Sequence, residues 1–231
     1  MDIVFHSHRN AQEIIDATPE LLLLWRELEE ALNSLTDERL LDDYQNRVSQ
    51  KLAVGASPPR SLSYSINGLL DDFLVRKGWE PQSALFAQKP YTSKNESRWR
   101  LDFSKSLDLS DSSARRMQTS KNKCGIAVEV AFNHGEAIAW NLLKPVMAAE
   151  LNHVAKAADI GEGVGVVITA TKSMKSAGGF DGAVGEFQKV LRYLEPMRSQ
   201  LTTPMLIVGL EAPRSFKLQK MGKKASEVIL L

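Results

Sequence analysis

The sequence predicts an α/β fold in which a central mixed β-sheet is flanked by helices, and three observations carry that prediction. Apolar residues recur at helical spacing in stretches between Thr18 and Lys77. After Trp79 the pattern changes to short alternating segments. Further on, Gly125–Phe132 and Gly163–Ala170 are strand-like runs separated by a long helical stretch. The second run is continuous and β-branched, as in a parallel strand covered on both faces.

Taken in order, Thr18-Pro19-Glu20 reads as the cap and first turn of a helix, because proline in the first position gives up no needed donor. Leu21, Leu24, Leu28, Ala31 and Leu32 continue it to about Ser34. Thr36–Gln50 is helix-compatible, Val54–Ser63 is a loop marked by Gly55, Pro58 and Pro59, and Ser65–Lys77 is a helix ending at Gly78. Ala84–Gln88 and Arg98–Phe103 are expected as strands, the latter alternating Trp99, Leu101 and Phe103. Ser104–Gln118, rich in Ser, Asp and Arg, is expected as an exposed loop. A helix from Gly135 to Ala157 puts Ile138, Leu142, Val146 and Ala149 on one face. Another runs from Asp181 to Leu194, Pro204–Leu210 is the last core strand, and Pro213–Leu231 is a basic tail. No repeat or linker divides the chain, so residues 1–231 are read as a single domain.

Composition is that of a globular protein, 43% hydrophobic and 25% charged, with no apolar run of membrane-spanning length. The start, Met1-Asp2-Ile3-Val4-Phe5, lacks the order of a secretory signal. One cysteine, Cys124, cannot close an internal disulfide, so a cytoplasmic location is expected. Net charge is +1, but residues 172–231 carry 10 basic and 5 acidic side chains, a mildly basic stretch able to face phosphates or simply water. Gly161-Glu-Gly-Val-Gly165 enters a strand rather than opening a helix, so it is not read as a nucleotide-binding loop.

Glu129 stands in the middle of an otherwise apolar strand. A buried carboxylate needs a cation, a hydrogen-bonded partner or an open cleft beside it. Taken alone, it fits either a glutamate that lies at an edge or pairs with a nearby arginine or lysine, or a metal ligand. In metal-dependent phosphodiester cleavage, carboxylates from adjacent strands hold a divalent ion that activates water and neutralises charge on the phosphate.

Gly125-Ile-Ala-Val-Glu-Val-Ala-Phe132 resembles the Val-Ala-Ile-Glu-Val-Gln-Phe strand of the BglII/BstYI family of type II restriction endonucleases, within the PD-(D/E)XK nuclease superfamily. Met1–Asn10 resembles that family's opening strand and turn, Leu24–Glu30 its first helix and Arg76-Lys-Gly-Trp79 the end of its second. Asp159–Ile168 and Thr203–Leu210 resemble its last two core strands. The resemblance implies a restriction-endonuclease-like core, Mg2+ as cofactor, double-stranded DNA containing GATC as substrate, and a homodimer acting on a palindrome. It also implies a dimer contact through the Gly135–Ala157 helix.

Two departures bear on catalysis. The family's Asp before the Glu corresponds to Ser120, a poor ligand for a hard cation, and its Gln or Glu two residues after corresponds to Ala131. Asp102 is the best replacement ligand, ahead of Asp108 and Asp111, which are expected in a solvated loop. By resemblance Asn133 and His134 reach towards bases, and Lys172, Ser173, Lys175 and Ser176 read DNA from a polar loop. His134 also reads as a cap for the helix after it; Glu80, His6 and His8 are read as surface or capping residues, and Trp25 and Trp79 as core. Three readings follow: an active endonuclease, a DNA-binding homologue that no longer cuts, and an α/β protein without a nucleic-acid role.

Overall fold

A computed structural model describes all residues except 90, 92, 94–96, 151–154 and 222–224. The chain begins with a strand, β1 (Ile3–His8), and turns through Arg9 and Asn10, both at positive φ. Four helices follow: α1 (Ala11–Ala17), α2 (Pro19–Asn33), α3 (Asp37–Ala53) and α4 (Ser63–Arg76). Then come β2 (Glu80–Ala84), β3 (Arg100–Asp108), α5 (Asp111–Met117), β4 (Lys123–Val130) and α6 (Ile138–Glu150). The remainder is β5 (Val164–Ala170), α7 (Lys172–Ala177), α8 (Phe187–Leu194), β6 (Met205–Leu210), β7 (Phe216–Met221) and β8 (Ala225–Leu230).

Six strands form one mixed sheet in the order β1-β6-β5-β4-β3-β2. β4, β5 and β6 are parallel, while β1, β3 and β2 are antiparallel to their neighbours. Helices cover both faces, and the strand period decides which residues meet which layer. On β5, Val164, Val166 and Ile168 pack with Leu24, Leu28 and Leu70 of α2 and α4. Val167, pointing the other way, packs with Leu142 of α6 and Val190 of α8. Each fully buried Leu or Val side chain contributes about 1.5–3 kcal/mol against exposure, so burial on both faces makes these central strands the rigid base of the molecule.

The expected helices at 18–34, 36–50 and 65–77 are present within a few residues, as are the strands at 125–132, 163–170 and 204–210. Trp25 and Trp79 are core. Five local expectations are corrected. The strand expected at Ala84–Gln88 lies earlier, at Glu80–Ala84, because its partner is Arg100–Ser104. Ser104–Asp108 is not loop: it pairs with Lys123–Ala127, and Ser110 then caps α5 by accepting from the Ser113 N–H. The helix expected to reach Ala157 is not helical at 155–157, residues 151–154 lying outside those described. Lys172–Ser176 is not a loop but α7, capped by the Thr171 hydroxyl, and the next helix begins at Phe187 rather than Asp181. Pro213–Leu231, read as a basic tail, contains the β7–β8 hairpin.

Candidate active site

Glu129 sits near the C-terminal end of β4, opposite Val167 of β5. Its side chain is 2% exposed and turns towards α6, where the ammonium of Lys144 pairs with Oε2. Lys144 is itself buried and also donates to the Arg100 carbonyl at 2.9 Å, so one lysine ties α6 to β3 and β4 together. The second oxygen, Oε1, is buried with no hydrogen-bond partner among the described residues. Burial pushes the Glu129 carboxyl well above its ordinary range, and the nearby Asp102 charge pushes the same way; Lys144 opposes both.

Asp102 reaches this place through a break in the sheet. The β3–β4 ladder begins at Phe103↔Val128, and one residue further along the strands separate. There the Asp102 side chain takes over a backbone role, its Oδ2 accepting from the Val130 N–H at 2.7 Å. Its Oδ1 accepts from Gln82 Nε2 at 3.1 Å, and Gln82 is held at φ 48, a left-handed conformation uncommon outside glycine. The Arg100 guanidinium donates to the Gln82 carbonyl at 2.6 Å and helps to fix it. Simple alternation around Asp102 fails: Leu101 packs with Ala127 and Ala148, whereas Phe103 joins the cluster on the other side of the sheet.

Asp102 lines a cleft of about 300 Å³ whose opposite wall is Arg47, Tyr64, Asn67 and Asp71 of α3 and α4. Glu129 does not line it. Glu129 is thus buried beside the cleft rather than opening into it. Gly68 makes room for the Arg47 guanidinium, since a Cβ there would lie 2.1 Å from Nη2. Two carboxylates from adjacent strands with one oxygen unpartnered suit a single divalent ion, and magnesium commonly fills its remaining positions with water and phosphate oxygens. No third His, Cys, Asp or Glu joins them among the described residues.

With the fold and this arrangement in view, comparison with known proteins is informative. The family model described as restriction endonuclease BglII/BglIII matches residues 3–210. The chain belongs to the BglII/BglIII restriction endonuclease family. A crystal structure of restriction endonuclease BglII complexed with a DNA 16-mer matches at TM-score 0.58 and 14% identity, covering 100% of both chains, which shows a shared fold. Free BglII matches at TM-score 0.46 and 16% identity, covering 99% of this chain and 90% of that one. No curated protein sequence matches.

Not every candidate that the BglII/BglIII resemblance suggested gathers here. Ser120 lies three positions before β4 while Glu129 is next to its last, so the strand's length separates them. The adjacent Thr119 hydroxyl bonds Glu162, at the N-terminal end of β5. Ala131 is buried, its N–H donating to Ile168 and its methyl packed in the cluster with Ile138 and Leu142. Asp108 pairs across from Lys123, Asp111 opens α5, and Glu80 lines a different depression. Asn133 is exposed, its Oδ1 accepting from Asn141. His134 is also exposed and its side chain caps nothing. Lys172, Lys175 and Ser176 line a groove of about 670 Å³, while Ser173 donates to Glu211. His8, expected at the surface, is buried with Nε2 3.1 Å from the Leu201 carbonyl.

Lys144 is the residue that reading the sequence missed. The α6 segment was read through its apolar stripe, yet Asn141, Lys144 and Pro145 are buried as well. A lone lysine inside an apolar helix and a lone glutamate inside an apolar strand are complementary, and that is the signal that pairs them.

Proposed function

We propose that the chain is a type II restriction endonuclease that hydrolyses double-stranded DNA with Mg2+ held by Glu129 and Asp102. The carrying observation is the buried Glu129 with one oxygen paired to Lys144 and the other unpartnered, beside Asp102 on the adjacent strand. Bound there, the ion would lower the pKa of water and offset charge on the phosphate. The residues supply the rest. Asp102 is fixed by Val130 and Gln82, so its lone pairs are oriented before substrate arrives. Lys144 opposes the burial that raises the Glu129 carboxyl and puts a positive charge where Ala131 offers no polar atom. In this reading its ammonium would stabilise negative charge at the scissile phosphate or orient a water molecule.

Family membership supports a palindromic target containing GATC and a homodimer, since cutting both strands symmetrically calls for two related sites. On α6 the half-buried Trp140, Leu143 and Met147 are the surface open to a second copy. Lys172, Lys175 and Ser176, with Asn133 and His134, are the groups proposed to meet DNA. Incubating plasmid rich in GATC with the protein and magnesium tests the reading. Discrete fragments from wild type, and none from Glu129→Gln or Asp102→Asn variants that still bind the duplex, are expected. Tight duplex binding by wild type without any cutting would instead establish a binding protein that has lost hydrolysis.

A further inference from the structure

Four depressions on the surface share residues at their borders and so run together. The Asp102 cleft shares Arg47 and Tyr64 with a second depression of about 490 Å³. That one shares Arg60 and Ser61 with a third, beside Phe132 and His134. The third shares Phe180 and Lys220 with the groove under the β7–β8 hairpin. Seven Lys and Arg side chains line this track against four carboxylates.

The hairpin builds the far end. Phe216 and Leu218 turn inward and are buried, which leaves Lys217 facing out, and Lys220 is anchored by donating to the Phe180 carbonyl at 2.8 Å. β8 is fastened to the loop before α4, where the Ser226 hydroxyl donates to the Arg60 carbonyl at 2.8 Å. Of the four carboxylates, Glu186 is buried and faces Lys175 at 3.9 Å. The side chains of Lys51, Arg60, Lys172 and Lys217 have no hydrogen-bond or ion-pair partner among the described residues. Unpaired cations spaced along one concave path repel one another, and a polyanion lying in the path relieves that repulsion.

We propose that Arg60 and the β7–β8 hairpin, through Lys217 and Lys220, hold the phosphate backbone of duplex DNA along a track that leads to Asp102. The inference rests on the nuclease reading and adds a surface to it: the matched family residues end at 210, before the hairpin begins. Such contacts position the duplex without reading its sequence.

Fluorescence anisotropy with a random-sequence duplex and with a GATC duplex, over a range of salt and without magnesium, tests this. Arg60→Ala/Lys217→Ala removes two exposed, unpartnered cations without touching the core, and Lys217→Glu is a second variant. Both should weaken binding to the two duplexes alike, the double variant about ten-fold at moderate salt. The slope of log affinity against log salt should flatten by about two for the double variant. Lys189→Ala on α8, outside the track, should change neither. If wild type binds with a steep salt slope and the variants match it, the track is overturned while the nuclease reading stands. If wild type binds no duplex at low salt, both fall together.

Discussion

At the residue scale, the Glu129–Lys144 pair bears on stability and, under the proposed function, on chemistry. Removing one member of a buried pair leaves an uncompensated charge, at a cost of about 3–5 kcal/mol, whereas replacing both with apolar groups is often neutral. Lys144→Met should therefore lower unfolding stability in urea by about 3 kcal/mol and abolish cleavage. Glu129→Leu/Lys144→Met should recover most of the stability and none of the activity. A Lys144→Met protein as stable and active as wild type would remove the lysine from the site. That pair also marks the limit of reading from sequence. Glu129 was legible because one charge interrupts an apolar strand, and Asp102 because it stood on the preceding strand. Lys144 was not, because only packing shows that an amphipathic stripe is covered on more than one side. Ser120 stood at the family's Asp position in the sequence, yet three-dimensional separation along β4 takes it away from Glu129.

At the scale of elements, the approach of α6 to β5 sets where Lys144 lies. A Cβ on Gly165 would come within 2.7 Å of Pro145 Cβ and 3.0 Å of Met205 Cγ. Overpacking of this kind costs about 1–3 kcal/mol, so Gly165→Ala should lower stability by that amount in urea. Cleavage should fall more than stability as α6 and its lysine are pushed outward; an unchanged rate would show that the helix spacing does not matter. A second junction joins α2 to α5. Glu20 Oε1 accepts from the Ser110 N–H at 3.0 Å and Oε2 from the Ser113 hydroxyl at 2.8 Å. Burial alone would raise its pKa, but these hydrogen bonds outweigh it and hold it at about 2 against an ordinary 4.5. Because the folded pKa is depressed, this contribution to stability is complete above about pH 4.5 and is lost as the pH falls towards 2. Glu20→Gln should flatten the acid limb of a stability-against-pH curve in that window. Strongly periodic elements were legible because period survives without context; α5 and α7 were not, because Ser, Asp and Lys look like loop until a cap and a docking surface are known.

For the whole molecule, charge is divided against function: the acidic first 90 residues hold most of the helical layer, and the basic last 60 carry the groove and the hairpin. DNA binding should accordingly be steeply salt-dependent although net charge is only +1. Sedimentation of the protein with a palindromic GATC duplex should show two copies per duplex; one copy at saturation would end the symmetric-cleavage reading. The mixed sheet and the helical layers were largely legible, since alternating and continuous apolar runs imply them, but the spatial order of the strands was not. The first strand was legible only through the resemblance of Met1–Asn10 to an opening strand, and its pairing with β6, which joins the two ends of the family match, was not legible at all.

Trp99 and Trp140 meet edge to face, ring centroids 5.0 Å apart at 87°. One immediately precedes Arg100, whose carbonyl receives Lys144, and the other sits one helical turn before Lys144 on α6. Two indoles this close share their electronic excitation, so the molecule carries a built-in optical gauge of the gap that the lysine spans. A circular-dichroism couplet lost in Trp140→Phe, and altered when duplex and magnesium are added to wild type, would report in real time whether α6 shifts as the site engages its substrate.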